Sequence, residues 1–164
     1  MQTSCSRGLL HEVWEARRHT SSAAGQRASG SVNPRSRRLF LTLILAQVAH
    51  SIEEYAFRLY DVFAPARLAS GLFSRNLEGG FVAANLALIL FAFWCYFARV
   101  RKGGGQGRAW AWFWTILEAG NGTGHLMLAA VRGGYFPGAA TAPLLLACSG
   151  WLGITLAESR DGTA

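Results

Sequence analysis

Apolar residues gather into four long stretches, Leu39 to about Tyr60, Phe81 to about Ala98, Ala109 to about Val131 and Pro137 to about Ala157. Each approaches the roughly 20 residues an α-helix needs to cross about 30 Å of hydrocarbon. The helices of a soluble bundle would carry polar outer faces, whereas Leu86-Ala87-Leu88-Ile89-Leu90-Phe91-Ala92-Phe93-Trp94 has none. The pattern predicts an all-α fold, an integral membrane four-helix bundle with a disordered basic N-terminal leader. Residues 1–36, rich in Ser, Arg, Gly and Ala, make the leader. The four-span domain covers 37–158, and 159–164 form a short tail.

The connections have signatures of their own. Between the first two spans, Pro65 and Gly71 break the apolar pattern, and Leu68, Leu72 and Phe73 are spaced for one face of a short interfacial helix. Trp94, Tyr96 and Arg99 close span two, and Trp110, Trp112 and Trp114 open span three, as aromatic belts at a membrane surface. Arg101 to Gly107 reads as a short flexible loop. Pro137 suits the first turn of span four, where a missing N–H costs nothing. Gly120, Gly122 and Gly124 read as sites of close helix packing.

A formal charge of +7 would fit a nucleic-acid binder if it were spread over one face. Instead Arg7, Arg17, Arg18, Arg27, Arg35, Arg37 and Arg38 precede span one, and Arg99, Arg101, Lys102 and Arg108 lie between spans two and three. The positive-inside rule places both segments, and hence both termini, in the cytoplasm of a multi-pass protein. The charge is orientation information, and no nucleic-acid partner is expected. No secretory apolar region precedes Leu39, so span one reads as an uncleaved signal anchor, unless the true start lies further downstream. Cys5, Cys95 and Cys148 lack CxxC spacing, which argues against a disulfide framework or a thiolate metal site.

Ionisable residues inside the apolar stretches mark function by default, because each must be paired or neutralised away from water. His50-Ser51-Ile52-Glu53-Glu54 places an imidazole and two carboxylates within one stripe of a helix, Glu53 about 60° to one side of His50 and Glu54 about 40° to the other. The alternative is that the helix ends early, Glu54 pairing with Arg58 and Glu53 facing headgroups. In the third stretch Glu118, Asn121 and His125 form a second polar stripe, and Asn85 is the strongly polar residue of the second.

Depth links these stripes. At about 1.5 Å per residue, His50 lies roughly 16 Å and Glu54 roughly 22 Å from the cytoplasmic start of span one. Glu118, Asn121 and His125 lie roughly 14, 18 and 24 Å along span three, and Asn85 roughly 24 Å up a 30 Å core. The convergence predicts one shared polar cavity. Its nitrogen and oxygen donors suit a divalent metal such as Zn, Mn or Fe, one ion being the economical number. The same groups could work without metal as acid and base, pass protons or ions, or pair as buried charges that fix the bundle.

His50-Ser51-Ile52-Glu53-Glu54, a later His125 and Tyr135-Phe136-Pro137-Gly138, in that order among four apolar stretches, resemble the HxxEE-domain family of membrane proteins and its HxxEE and YxPG motifs. The resemblance covers roughly residues 39–157. It implies four spans and a constellation like an active site in a family whose reaction is not established, with Tyr135 a further candidate. The expected catalytic set is therefore His50, Glu53, Glu54, Glu118, His125 and Tyr135. His50, Glu54 and His125 are the expected metal ligands, Asn85 and Asn121 orient the bound group, and the expected partners are membrane lipids and a lipid or apolar small-molecule substrate.

Overall fold

The computed structural model describes residues 14, 15, 17 and 32–161. Among them every regular element is a helix. The elements are α1 (Pro34–Ala56), α2 (Leu59–Val62), α3 (Ala64–Phe73), α4 (Leu77–Cys95, continued by a π-turn over Tyr96–Val100), α5 (Gly104–Arg132) and α6 (Ala142–Asp161). Four long helices thus occupy the four apolar stretches, with boundaries set by local chemistry.

Helix α1 begins inside the segment assigned to the leader, because Asn33 caps it and Pro34 supplies a pre-set first residue. The Asn33 Oδ1 accepts the Ser36 N–H at 2.7 Å. The rest of the expected leader falls almost wholly outside the described residues. At its other end α1 stops at Ala56, short of Tyr60. Arg58 turns left-handed with φ 53°, and the Phe57 N–H donates back to the Glu53 carbonyl at 3.0 Å. Arg58 then pairs with Asp61 at 2.6 Å, so the pairing with Glu54 weighed above does not occur.

Helix α3 bears out the short helix expected in this connection, with Leu68, Leu72 and Phe73 all exposed. It lies across α4 at Gly80, where an added Cβ would meet the Ser70 carbonyl. Helix α5 starts at Gly104, five residues before Ala109, so little of the flexible loop remains. Trp114 is consequently ten residues into the helix and buried, while Trp112 packs against the same core. The expected belt of three tryptophans fails because residues two apart point in different directions on a helix. Trp94 does keep an outer position, with the Arg99 guanidinium 5.7 Å from its ring.

Pro137 does not open α6. Residues 137–141 form a turn, and Pro143 takes the place in the first helical turn. Of the three glycines in the middle of α5, Gly122 packs closely, 3.0 Å from the Ala142 carbonyl as measured from a built Cβ, while Gly120 and Gly124 face open space.

Helix α1 packs antiparallel against α6, tied at one end by Asn33 Nδ2 donating to Ser159 Oγ (2.9 Å) and Ser36 Oγ donating to Thr155 Oγ1 (3.3 Å). Helix α5 packs on the other side of α6, and α4 leans on α1 and α3 and meets α5 mainly through its π-turn and the Phe91 and Trp94 rings. Phe40, Leu43, Ala92, Trp114, Leu145 and Leu152 fill the interior where the long helices meet. Two segments are long and apolar enough to cross a membrane, Leu77–Val100 with mean hydropathy 2.1 and Ala142–Ser159 with 1.2. Helices α1, with 23 residues, and α5, with 29, are long enough too. Arginines near their starts, the buried polar stripe of Gln47, His50, Glu53 and Glu54 and the polar stripe of Glu118, Asn121 and His125 lower their hydropathy.

Candidate metal centre

Gln47, His50, Ser51 and Glu54 repeat at intervals of three and four along α1, so one buried face of the helix is polar. Opposite it stands His125 of α5. Its ring lies edge-on to that of His50, with centroids 4.6 Å apart. Both imidazoles turn Nε2 toward one carboxylate oxygen: Glu54 Oε1 is 3.4 Å from His50 Nε2 and 3.1 Å from His125 Nε2. All three side chains are buried.

The far sides of the rings set the protonation pattern. His125 Nδ1 lies 2.6 Å from the Pro137 carbonyl, which can only accept, so Nδ1 carries a hydrogen. His50 Nδ1 lies 2.7 Å from Thr141 Oγ1, whose own hydrogen goes to Glu53 Oε2 at 2.5 Å. The threonine oxygen therefore accepts from His50, and again Nδ1 carries the hydrogen. In the neutral rings both Nε2 atoms then present lone pairs to a carboxylate. Three acceptors facing one another are satisfied by a positive charge among them, a proton or a metal ion. An extra proton on His125 would satisfy its contact with Glu54, but His50 Nε2 is buried without any hydrogen bond.

The three donor atoms lie within 4.8 Å of one another and could hold a metal ion. Tetrahedral ligands at about 2.1 Å from zinc stand roughly 3.4 Å apart, close to both His–Glu separations. Backbing of each Nδ1–H by an oxygen acceptor is the usual support for a metal-binding histidine. Two histidines and a carboxylate leave a fourth coordination position, the arrangement of catalytic rather than structural zinc sites.

Glu53 does not join this cluster. It lies on the other edge of the α1 stripe and reaches the turn before α6, where Tyr135 Oη (2.5 Å), the Ala140 N–H (2.9 Å), the Thr141 N–H (2.8 Å) and Thr141 Oγ1 (2.5 Å) all donate to it. With both oxygens occupied, Glu53 holds the 135–141 segment against α1. Tyr135 serves the same purpose: it is half exposed, its ring lies 4.8 Å from that of Phe57, and its hydroxyl ends on Glu53. Desolvation and the neighbouring carboxylate push the Tyr135 phenol well above its ordinary range, so it stays a donor at physiological pH. Gly138 lies directly over both imidazoles with φ 91°.

Glu118, Asn121 and Asn85 come together with Gln47 beside the cluster, not within it. They line a cavity of about 560 Å³ that Glu54 also borders and that Leu88, Ile116 and Leu117 complete. Ser51 Oγ donates to Asn85 Oδ1 at 2.7 Å, and Gln47 Nε2 donates to Ser51 at 3.2 Å. Asn121 Nδ2 reaches Gln47 Oε1 at 3.4 Å and Glu118 Oε2 at 3.5 Å. The buried Glu118 is thus held only loosely by hydrogen bonds among the described residues. Gln47 and Thr141 were not singled out from the sequence, and Ser51 and Gly138 entered only as motif positions with no role of their own. Gln47 and Ser51 share the three-and-four spacing of His50 and Glu54, which is the signal for them; Gly138 is marked by the Tyr135-Phe136-Pro137-Gly138 motif, and Thr141 carries no signal.

The polar stripe, the paired histidine and the turn over them all fall within one family match. A family model described as a protein of unknown function with HXXEE motif matches residues 41–152. The chain belongs to the HXXEE family. The motif of that description is His50-Ser51-Ile52-Glu53-Glu54 here, and the match extends through His125 and Gly138. No curated protein and no solved structure matches the chain. Within the motif, His50 and Glu54 belong to the cluster that could bind metal and Glu53 to the turn that backs it.

Proposed function

We propose that this HXXEE protein is a four-span membrane enzyme that binds one divalent ion, Zn, Mn or Fe, through His50, Glu54 and His125. The observation that carries the reading is the buried, unpartnered Nε2 of His50, aimed with His125 Nε2 at a shared carboxylate while both Nδ1 atoms are committed elsewhere. A bound ion would supply Lewis acidity at the fourth position. Glu118, buried in the adjoining cavity, is the acid or base that moves a proton there, and Asn121 orients its carboxylate. Gln47 and Asn85 offer hydrogen bonds to a substrate in the same cavity.

Large apolar side chains on the outside of the long helices support the membrane reading, Leu45, Leu90, Ile116, Met127 and Ile154 among them. Helix α4, the most apolar of the four, is also little buried, as a lipid-facing helix is and the core helix of a soluble protein is not. The basic residues before and at the start of α1 and around the α4–α5 turn support a cytoplasmic position for both termini. A lipid or other apolar small molecule is then the natural substrate.

Elemental analysis of the detergent-purified chain tests the centre. Near one equivalent of Zn, Mn or Fe is expected in the native protein and none in His50→Ala or His125→Ala with unchanged helix content. Absence of metal from native protein, even after loading with each ion in turn, overturns the metal reading and leaves the Glu54–His125 contact as a buried ion pair. A second expectation concerns the Thr141 hydroxyl, which links Glu53 to His50. Thr141→Val is expected to weaken metal affinity about 10- to 100-fold, as loss of a ligand's supporting hydrogen bond does. Competition against a chromogenic chelator measures it.

A further inference from the structure

The cavity beside the metal centre is open on one side, and what lies beyond that opening indicates what enters. Helices α4 and α5 meet mainly through the Phe91, Trp94, Trp110 and Trp114 rings near their connection. Leu88, Ile116 and Leu117 line the cavity from the two helices, and Ile116 and Leu117 are exposed on the outer surface of the bundle. One turn further toward the α4–α5 connection on both helices is a second cavity of about 330 Å³, lined by Phe91, Ala109, Trp110 and Phe113. Phe91 of α4 and Trp110 of α5 meet edge to face there, with ring centroids 5.5 Å apart. The seam is therefore polar at one end and aromatic at the other. From Asn121 to Trp110 it runs about 16 Å along α5.

We propose that this seam binds a single-chain bilayer lipid with an uncharged, hydrogen-bonding head group. The inference rests on the reading of α4 and α5 as membrane spans. The head occupies the cavity against Gln47, Asn85 and Asn121, and the chain lies over Ile116 toward Trp110 and Phe113. Three carboxamides offer both donors and acceptors. No Lys or Arg lines either cavity among the described residues, and Glu54 and Glu118 line the polar one. A phosphate or carboxylate head would be desolvated against two acids with no Lys or Arg to offset them, and the one counter-charge within reach, a bound ion, is already shared by Glu54. A cationic head would compete with the divalent ion for Glu54. A hydroxyl, ester or amide suffers neither penalty, and the aromatic end, with about 330 Å³, has room for one chain.

Native mass spectrometry of the full chain in detergent tests this with three probes of the same acyl length: a monoacylglycerol, a lysophosphatidate and an alkyl trimethylammonium ion. The monoacylglycerol is expected to be retained at one per chain, in preference to the charged probes. Two substitutions block the seam at its ends. Gly120→Leu fills the polar mouth, at a position where an added Cβ meets nothing within 4 Å, and Ala109→Trp fills the aromatic end. Each is expected to lower retention about tenfold or more, a loss of about 1.4 kcal/mol, with helix content unchanged. His50→Ala, outside both cavities, is expected to lose metal and keep lipid. No retained monoacylglycerol, equal retention of a charged probe, or indifference to both blocking substitutions overturns the proposal. Native protein that holds lipid but no metal overturns the metal centre and leaves the lipid site standing.

Discussion

Gly138→Ala is expected to weaken metal loading severely while the helices remain intact. The methyl group would stand 2.5 Å from Nδ1 of His125 and 2.8 Å from Cε1 of His50, so neither imidazole could keep its place. The backbone adds its own strain, because φ at this position is 91°, and left-handed conformations cost an L-residue about 1–2 kcal/mol. Both effects act on the same small volume. The expected result is a loss of metal affinity of about 100-fold or more, the upper range for disturbing the support of metal ligands, with far-UV circular dichroism unchanged. Gly120→Ala is the control: it lies in mid-helix with open space around it, and alanine there is expected to be neutral or to stabilise by up to about 1 kcal/mol. Full metal loading in Gly138→Ala would show that the turn does not hold the histidines.

The two adjacent glutamates of the motif are expected to fail in opposite ways. Glu53→Ala leaves four donors at the turn before α6 without an acceptor. A buried donor left unpaired costs roughly 1–3 kcal/mol, but Tyr135 and Ala140 are exposed and can turn to water, so the cost falls mainly on the two donors of the half-buried Thr141. A loss of about 2 kcal/mol is expected, seen as a fall in the midpoint of thermal unfolding in detergent. Glu54→Ala removes the shared acceptor between two histidines and so removes the metal, but it leaves the turn anchored. Compared in the presence of chelator, Glu54→Ala is expected to unfold at a clearly higher temperature than Glu53→Ala. Equal midpoints would mean that Glu53 does not anchor the turn.

The four long helices were legible because their hydropathy is nearly unbroken, and the His50–Glu54 pair because spacing of four residues stacks side chains on one helix face. That His125 would meet them followed from equal depth along two helices that start on the same side. The destination of Glu53 was not legible. On a helical wheel it lies only about 20° further from His50 than Glu54 does, and the path of the chain between α5 and α6 decides which carboxylate turns toward the histidines. The role of Gly138 was hidden for the same reason, since its demand comes from rings on two other helices. Trp114 was misplaced because the helix starts in a glycine-rich stretch that hydropathy passes over. Helix caps moved other boundaries: Asn33 drew α1 back into the leader, and Arg58 ended it early.

The anchoring of Glu53 also fixes an order of assembly. Its backbone donors, Ala140 and Thr141, follow it by 87 and 88 residues. A ribosome adding roughly 5–20 residues per second reaches them only after several seconds. Through that interval α1 exists with its histidine and both glutamates unpartnered, and α2 to α5 must form around a helix that cannot yet be locked. The last helix to emerge closes the bundle. A chain truncated before α6 would therefore lose more than its final helix, because it would strand the motif in α1 as well.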